Sequence, residues 1–283
     1  MAGVISTPVV LAVLGSALMH AGWNFLVKAG ADRLLDTAAI AIGGSALAAA
    51  ALPFVPLPLA ASWPWLLVSA TSHAAYFLAL AASYERADLS VAYPMMRGLA
   101  PVIVAAAAPL FGEPYRPGTL LGAGLIGCGI VIPAALALRR GVAAGPGMLC
   151  ALANSAIIAG YTLVDGVGVR LSGDAVSYTL WLFFFDAWGI AAIVLRRRGR
   201  AVFAHLRHRW RYALGGAGLS IGAYGIVLWA MTVAPIAAVA ALRETSVIFA
   251  ALLGIGLLRE RMGPARAGGA LAVAAGAVII RLG

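Results

Sequence analysis

The most constraining feature of this chain is a series of long apolar runs separated by short polar gaps. About ten runs are present, and each spans roughly 18 to 24 residues, which is enough for a helix to cross the hydrocarbon core of a bilayer. Of the 283 residues, 63% are apolar and only 11% are charged, whereas soluble domains carry about 25% charged residues. The sequence therefore predicts a helical protein that spans a membrane several times.

Ten transmembrane helices are expected, one for each apolar run. Only one gap, Arg196–Arg211, is long and polar, and it carries seven arginines. We expect this segment to anchor the topology on the cytoplasmic side by contacting anionic lipid headgroups. The ten helices, numbered along the chain, are predicted at Pro8–Val27, Thr37–Pro53, Trp63–Tyr84, Leu89–Phe111, Thr119–Leu138, Gly147–Val164, Ser177–Leu195, Tyr212–Ala234, Ile236–Leu257 and Ala265–Ile280.

The distribution of positive charge predicts the orientation of the chain. The net charge is +10, but the basic residues cluster at helix ends, where they set membrane topology, so we expect no nucleic-acid partner. Apart from Arg97 and Arg243, which lie inside predicted helices, most of them fall in the gaps after helices one, three, five, seven and nine. The opposite side holds only Arg116, Arg170 and Arg281. By the positive-inside rule, both termini lie outside the cytoplasm.

The two halves of the chain share an internal repeat. Asp88–Ile132 and Pro235–Ile279 both show an Ala-rich helix start, a charged residue two turns in, and a Gly/Ala/Val-rich helix after the turn. Each repeat contains five helices, an odd number, so the second copy enters the membrane from the opposite side, as in secondary transporters with inverted repeats. The sequence therefore predicts an all-α integral membrane protein with ten transmembrane helices, arranged as two five-helix inverted repeats (residues 1–142 and 143–283) around a central cavity.

Four segments of the sequence form a recognisable set: Met19–Asn24 with Lys28 at the end of helix one, Ser90–Pro101 in helix four, and Ala241–Val247 and Leu258–Met262 in the second copy. Together they resemble the EamA-type branch of the drug/metabolite transporter superfamily. Their order and spacing extend the resemblance over essentially the whole chain. The resemblance implies a ten-helix fold of two inverted repeats that moves small organic solutes, often by proton-coupled export. It implies no particular substrate.

Four ionisable side chains are predicted at membrane depth: Arg97, Asp186, Arg243 and Glu244. Inserting each one costs about 2.5 to 3.5 kcal/mol, so such groups usually face a partner or a wet cavity. Their formal charges sum to zero, which favours a paired interior. Arg97 and Glu244 occupy corresponding positions of the two repeats, and two interpretations stay open. They form either a direct or water-bridged pair that breaks during transport, or a permanent structural ion pair.

Polar and aromatic residues on the predicted helices form the candidate site. His20, Trp23 and Asn24 share one face of helix one, because they are spaced i, i+3 and i+4. The alternative for such groups is ordinary packing or, for Trp and Tyr, anchoring at the membrane interface. Arg97 or Arg243 would neutralise a carboxylate or phosphonate on the substrate. The expected substrate-binding residues are His20, Trp23, Asn24, His73, Tyr76, Tyr93, Arg97, Asn154, Tyr161, Tyr224, Trp229 and Arg243, and the expected carriers of the coupling proton are Glu244 and Asp186.

The expected function is proton-coupled secondary transport of a small polar or amphipathic organic metabolite across the cytoplasmic membrane, with export favoured over import. The sequence contains no nucleotide-binding signature, which argues against ATP-driven transport within this chain. No cofactor or metal is expected, and the oligomeric state, monomer or homodimer, stays open. A lipid-carrier flippase is the first alternative, because the same fold allows it. A membrane-embedded enzyme is disfavoured, because acids predicted at the interface, such as Glu113 and Asp165, are scattered singly.

Overall fold

The computed structural model describes residues 5–86, 89–138, 146–259 and 263–282, and within these ranges it describes all side chains except those of 81–86, 89–93, 137–138, 146 and 258. The described chain is helical apart from short 3₁₀ turns and connecting segments. Its α-helices are α1 (Thr7–Ala29), α2 (Arg33–Ala51), α3 (Trp63–Arg86), α4 (Leu89–Ala107), α5 (Pro117–Leu138), α6 (Pro146–Leu171), α7 (Ala175–Arg198), α8 (Ala201–Val233), α9 (Ile236–Arg243), α10 (Ser246–Leu258) and α11 (Pro264–Leu282).

Nine helical segments of the described chain are long and apolar enough to cross a membrane. One of them, Ile236–Leu257, combines α9 and α10. Helix α3 has 24 residues and is also long enough to span, but it is less apolar because it carries inward-facing polar residues such as Ser69 and His73. The nine segments and α3 together give the all-helical, ten-helix membrane architecture that the sequence predicts.

The predicted ninth helix is not continuous. Helix α9 ends at Arg243 and α10 begins at Ser246, with a 3₁₀-type turn between them. The backbone N–H of Glu244 donates to the carbonyl of Ala241 (3.0 Å), and that of Thr245 donates to the carbonyl of Leu242 (3.1 Å). The Thr245 hydroxyl donates to the same Leu242 carbonyl (2.7 Å), and such side-chain bonds compete with regular helical hydrogen bonding. A tightened turn inside a membrane span often marks a hinge.

The arginine-rich segment Arg196–Arg211 is also different from its prediction as a long polar gap. Helix α7 continues to Arg198 and α8 begins at Ala201, so only Gly199 and Arg200 separate the two helices. Arginine has a high helix propensity, and the segment can remain helical while its charges stay exposed. Its contact with anionic lipid headgroups stays a prediction.

Helix α8 is kinked at Arg209, where the backbone has φ −115° and ψ 25°. Nη1 of Arg209 donates to Oδ1 of Asp36 (2.8 Å), and Nε2 of His205 lies 2.8 Å from the same oxygen. Asp36 is in the first turn of α2 and its side chain is fully buried. These contacts hold the α1–α2 and α7–α8 connections together at one end of the bundle, as expected for two connections that are predicted on the same basic side.

The contacts between helices follow the pattern expected of two repeats related by a two-fold axis. Helix α3 packs on α6 while its counterpart α8 packs on α1, and α4 packs on α6 while α9 and α10 pack on α1. The contacts of α2 with α7 and of α5 with α11 each join counterpart helices. Arg281 Nη2 donates to Thr7 Oγ1 (3.1 Å), so the start of α1 and the end of α11 lie at the same end of the bundle. The boundary between the predicted repeats, at residues 142 and 143, lies outside the described residues, so the domain division stays a prediction.

Helices α5 and α11 approach each other so closely that their backbones touch at glycines. A Cβ atom placed on Gly129 would lie 2.6 Å from the carbonyl oxygen of Gly269, and one placed on Gly122 would lie 2.7 Å from the carbonyl oxygen of Gly276. Membrane helices use small residues in this way, because close approach maximises van der Waals contact where no hydrophobic force draws helices together. We call this contact the α5–α11 glycine seam.

Gly129→Ala is expected to lower the thermal stability of the protein, because the new methyl group must displace the α11 backbone at Gly269. Overpacking of a close-packed interior costs about 1–3 kcal/mol. Gly124→Ala in the same helix is the matched control, since no heavy atom lies within 4 Å of the position that its Cβ would take. Thermal unfolding of both variants in the same detergent measures the difference. Equal melting temperatures for the Gly129→Ala and Gly124→Ala variants would show that α5 and α11 can move apart at the seam without loss of stability.

Candidate functional site

Polar side chains from both halves of the chain meet in the interior of the bundle. Asp165 is 0% exposed and Glu244 is 1% exposed, while Arg97 and Arg243 are 7% and 5% exposed. They are supplied by α4, α6 and the break between α9 and α10. We call the connected group of side chains the central cluster, and it consists of His73, Arg97, Tyr161, Asp165, Tyr178, Asp186, Tyr224, Arg243 and Glu244.

The first part of the central cluster is an ion triad. Arg97 Nη2 lies 2.9 Å from Glu244 Oε2, and Arg243 Nε lies 3.7 Å from Glu244 Oε1. The pair that the sequence leaves open is therefore formed, and it joins α4 of the first half to the helix break of the second half. The 2.9 Å approach lacks the alignment of a hydrogen bond, so charge rather than directed bonding holds this contact. The triad carries two cations and one anion.

The second part is a carboxylate with two tyrosine partners. The Tyr224 hydroxyl donates to Oδ2 of Asp165 (2.6 Å) and the Tyr178 hydroxyl donates to Oδ1 (3.0 Å). The prediction that Asp165 lies singly at the interface is wrong, because α6 does not end at Val164 but continues to Leu171. A signal was present in the sequence: Asp165 extends the stripe of Asn154 and Tyr161 on one helix face, at i, i+7 and i+11.

The third part surrounds His73 of α3. Its ring stacks on Tyr161 with 4.1 Å between the ring centroids, and its Nδ1 lies 4.0 Å from Oδ1 of Asp186. The same Nδ1 lies 3.0 Å from the backbone carbonyl oxygen of Ser69.

Tyr224 links the first two parts of the central cluster. The Arg243 guanidinium lies over one face of the Tyr224 ring, with 5.7 Å from Cζ to the ring centroid. Tyr224 therefore contacts both the ion triad and Asp165.

Of the remaining predicted site residues, some lie near the central cluster, one lies on the surface, and one has a side chain outside the described residues. His20 lies within electrostatic reach of Arg97 and Arg243, and Nε1 of Trp23 donates to its Nδ1 (3.3 Å). The Asn24 amide donates to the backbone carbonyl of His20 (2.8 Å), and the Asn154 amide donates to the sulfur of Met96 (2.9 Å). The ring of Tyr76 packs edge-on against Tyr161, with 6.2 Å between the ring centroids. Trp229 is not part of the cluster, because 43% of it is exposed on the surface of α8. The Tyr93 side chain lies outside the described residues.

Two pockets are described, and both lie away from the central cluster. A pocket of about 310 Å³ lies at the α8 kink, lined by residues 208–212, and another of about 10 Å³ lies beside Glu113. Neither is lined by residues of the central cluster. The central cavity therefore stays a prediction, and the ion triad and the stacked rings of His73 and Tyr161 lie between helices of the two halves.

A separate ion pair fixes the turn between α8 and α9. Arg170 Nη1 donates to Glu113 Oε1, and Oε2 of Glu113 accepts the N–H of Ile236 (3.1 Å) at the start of α9. Arg170 also donates to the carbonyls of Met231 (2.7 Å) and Ala234 (3.0 Å) at the end of α8. The prediction that Glu113 is a solitary interfacial acid is therefore wrong, because Glu113 pairs with Arg170. We call this arrangement the Glu113–Arg170 clasp. The clasp satisfies helix-end groups that would otherwise lack partners.

The fold and the buried charges define a multi-pass helical membrane protein with a polar centre between its two halves. Residues 145–282 match the model of the EamA-like transporter family, and this range covers the second predicted repeat. The second half of the chain therefore matches this family of the drug/metabolite transporter superfamily, in agreement with the sequence resemblance, and the match indicates a membrane transporter of that type.

Comparison with solved structures supports the same architecture. One crystal structure is similar over 97% of this chain and 98% of its own chain, with a TM-score of 0.73 and 18% sequence identity. At this identity the likeness shows the fold alone. No curated protein matches the sequence.

Proposed function

We propose that this protein is a proton-coupled secondary transporter that exports a small polar or amphipathic organic metabolite across the cytoplasmic membrane, with both termini outside the cytoplasm. The observation that carries the proposal is the Arg97–Glu244 ion pair, 2.9 Å long and buried between the two halves of the chain. Ionisable groups at membrane depth are costly, and they commonly mark substrate or proton pathways. A purely structural contact between the halves would not need them.

The substrate is proposed to bind at the central cluster by competing for the ion triad. A carboxylate or phosphonate on the substrate takes the place of Glu244 beside Arg97 or Arg243, and a planar guanidinium binds such anions through two parallel hydrogen bonds. The rings of Tyr161 and Tyr224 offer apolar surface for the rest of the molecule. The residues that the sequence offers for proton transfer, Glu244 and Asp186, both lie in the central cluster.

The helix break between α9 and α10 is proposed to open the cluster. Discontinuous helices at the midplane are typical of transporters whose substrate site alternates between the two sides of the membrane. Here the break lies directly at Glu244, so a change in its pairing acts on the turn that joins α9 to α10. The arrangement in which Arg97 pairs with Glu244 then corresponds to one step of such a cycle.

Thermal unfolding of the purified protein against a metabolite panel tests the proposal. The panel comprises amino acids, sugars, nucleotide sugars, polyamines and cationic drugs, and polyprenyl phosphates are measured beside it. A ligand at about 100 times its Kd stabilises the protein by about 2.7 kcal/mol. His73→Ala is expected to abolish the response. Leu78→Ala, on the same helix but 56% exposed toward the lipid, should retain it. Compounds that stabilise the protein are then followed in proteoliposomes under an imposed pH gradient.

The outcomes separate the proposal from its alternative. Stabilisation by a soluble metabolite, together with pH-gradient-driven flux, supports metabolite transport. A response confined to polyprenyl phosphates would overturn it in favour of a lipid-carrier flippase. Flux that does not depend on the pH gradient would remove the proton from the mechanism.

A further inference from the structure

Asp165 is held by groups that carry no permanent charge. The groups that act on its carboxylate are the hydroxyls of Ser69, Tyr178 and Tyr224 and the imidazole of His73. A hydroxyl is neutral, and a histidine is cationic only when it is protonated. The negative charge of the fully buried Asp165 side chain is therefore stabilised by the His73 imidazole and by hydrogen bonds from hydroxyls, and none of these groups carries a permanent charge.

Glu244 has the opposite environment. It lies between two arginines, at 2.9 Å and 3.7 Å, and both are nearly fully buried. A proton added to Glu244 would leave two guanidinium groups facing each other without an anion. A proton added to Asp165 leaves a neutral acid among neutral hydroxyls. In terms of charge balance, Asp165 is the better place for a proton that is bound and released during each cycle.

We propose that Asp165 takes up the coupling proton and that Tyr224 transmits this protonation to the Arg97–Glu244–Arg243 triad. This inference rests on the proton-coupled transport proposed above and names the residue that carries the proton. Uptake breaks one O–H bond of a hydronium ion, which becomes water, and forms one O–H bond on the carboxylate, which becomes neutral. Release to the other side of the membrane restores the anion.

Tyr224 contacts both Asp165 and the ion triad directly. Its hydroxyl donates to Asp165 Oδ2 at 2.6 Å, and its ring lies under the Arg243 guanidinium at 5.7 Å. A hydrogen bond to a carboxylate is roughly twice as strong as one to a neutral acceptor. Protonation of Asp165 therefore weakens the hydrogen bond from the Tyr224 hydroxyl, and the Tyr224 ring is then free to shift. Because the Arg243 guanidinium packs on this ring, a shift of the ring changes the position of Arg243 relative to Glu244.

His73 and Asp186 extend the site toward α7. The Nδ1 atom of His73 lies 4.0 Å from Asp186 Oδ1, and its imidazole also acts electrostatically on Asp165. The other charged or titratable groups of the cluster come from the helices packed against α6. By helix they are His73 (α3), Arg97 (α4), Tyr178 and Asp186 (α7), Tyr224 (α8), and Arg243 and Glu244 (the end of α9).

Infrared spectroscopy of the protein in lipid vesicles tests the proton site without any substrate. The difference spectrum between acidic and neutral pH should contain the C=O stretch of a protonated carboxylic acid. Asp165→Asn is expected to remove one component of this band, and Glu244→Gln should leave that component in place. Asp165→Glu keeps the acid but moves it, so it should shift the component. An unchanged band in Asp165→Asn would overturn the proposal.

A matched pair of tyrosine variants tests the link to the triad. Tyr178→Phe and Tyr224→Phe each remove one hydroxyl from Asp165, but only Tyr224 contacts Arg243. Arg243→Gln is expected to shift the Asp165 band in the Tyr178→Phe background and to leave it unshifted in the Tyr224→Phe background. Equal shifts in both backgrounds would refute transmission through Tyr224.

These readouts are independent of the transport assay. If the Asp165 band behaves as expected but no metabolite of the panel stabilises or moves, the proposed transport function fails and the proton site stands. If a metabolite is transported and Asp165→Asn retains its pH-gradient-driven flux, the inference fails and the transport function stands.

Discussion

Glu244→Gln is expected to destabilise the protein more than Arg97→Gln does, although each variant removes one member of the same ion pair. Breaking a buried pair costs about 3–5 kcal/mol, because an uncompensated charge is left behind. In the Glu244→Gln protein, the triad loses its only anion and retains two cations. In the Arg97→Gln protein, Arg243 still lies 3.7 Å from Glu244 and balances its charge.

The double variant Arg97→Gln/Glu244→Gln distinguishes charge balance from simple loss of contacts. It retains one cation of the triad, so it should be more stable than Glu244→Gln alone, and the two substitutions should be strongly non-additive. Melting temperature and the fraction of monodisperse protein after detergent extraction measure the series. Strictly additive losses, or equal losses for the two single variants, would show that the triad does not act as a unit.

Arg170→Gln is expected to cause a large loss of stability, although Arg170 lies outside the central cluster. It leaves the Glu113 carboxylate, which is 8% exposed, without its cation, and it removes the donors to the carbonyls of Met231 and Ala234. The penalty for an unpaired buried charge is again about 3–5 kcal/mol. The connection between α8 and α9 would lose the contacts that fix its geometry.

Arg281→Gln is the matched control for this prediction. Arg281 is predicted on the same side of the membrane, but its contact with Thr7 is exposed, and exposed polar pairs contribute at most about 1 kcal/mol. Adding Glu113→Gln to Arg170→Gln should recover part of the lost stability, because it removes the unpaired charge. Thermal unfolding of the four proteins measures both effects. A double variant no more stable than Arg170→Gln would contradict the interpretation of the clasp as a charge pair.

The helices and the main ion pair were predictable because they depend on local composition and on symmetry. Apolar runs long enough to span a bilayer define the helices. Inverted repeats place Arg97 and Glu244 at corresponding positions near the centre, and the structure brings them to 2.9 Å. The partners of His73 on α6 and α7 were not predictable, since they depend on how helices distant in sequence pack against each other.

Three features differ from the sequence-based expectation for identifiable reasons. Asp165 was placed at the interface because the apolar run fades near Val164, whereas α6 is extended by polar residues that face inward. The sequence around the break at Glu244–Thr245 contains no glycine or proline, so it carries no signal of a helix break. The break depends instead on the Thr245 hydroxyl and on a tertiary ion pair. The arginine-rich segment is polar in composition, but polarity alone does not separate a loop from an exposed helix.

The α5–α11 glycine seam limits the ways in which the two halves can rearrange. Backbones already in contact cannot come closer, and axial sliding would drive the larger side chains that flank each glycine into the opposite main chain. Rotation about the line of contact meets no such obstacle. If the polar centre opens while this seam stays intact, the two halves therefore rotate as rigid bodies relative to each other. The axis of that rotation lies along the contact between α5 and α11.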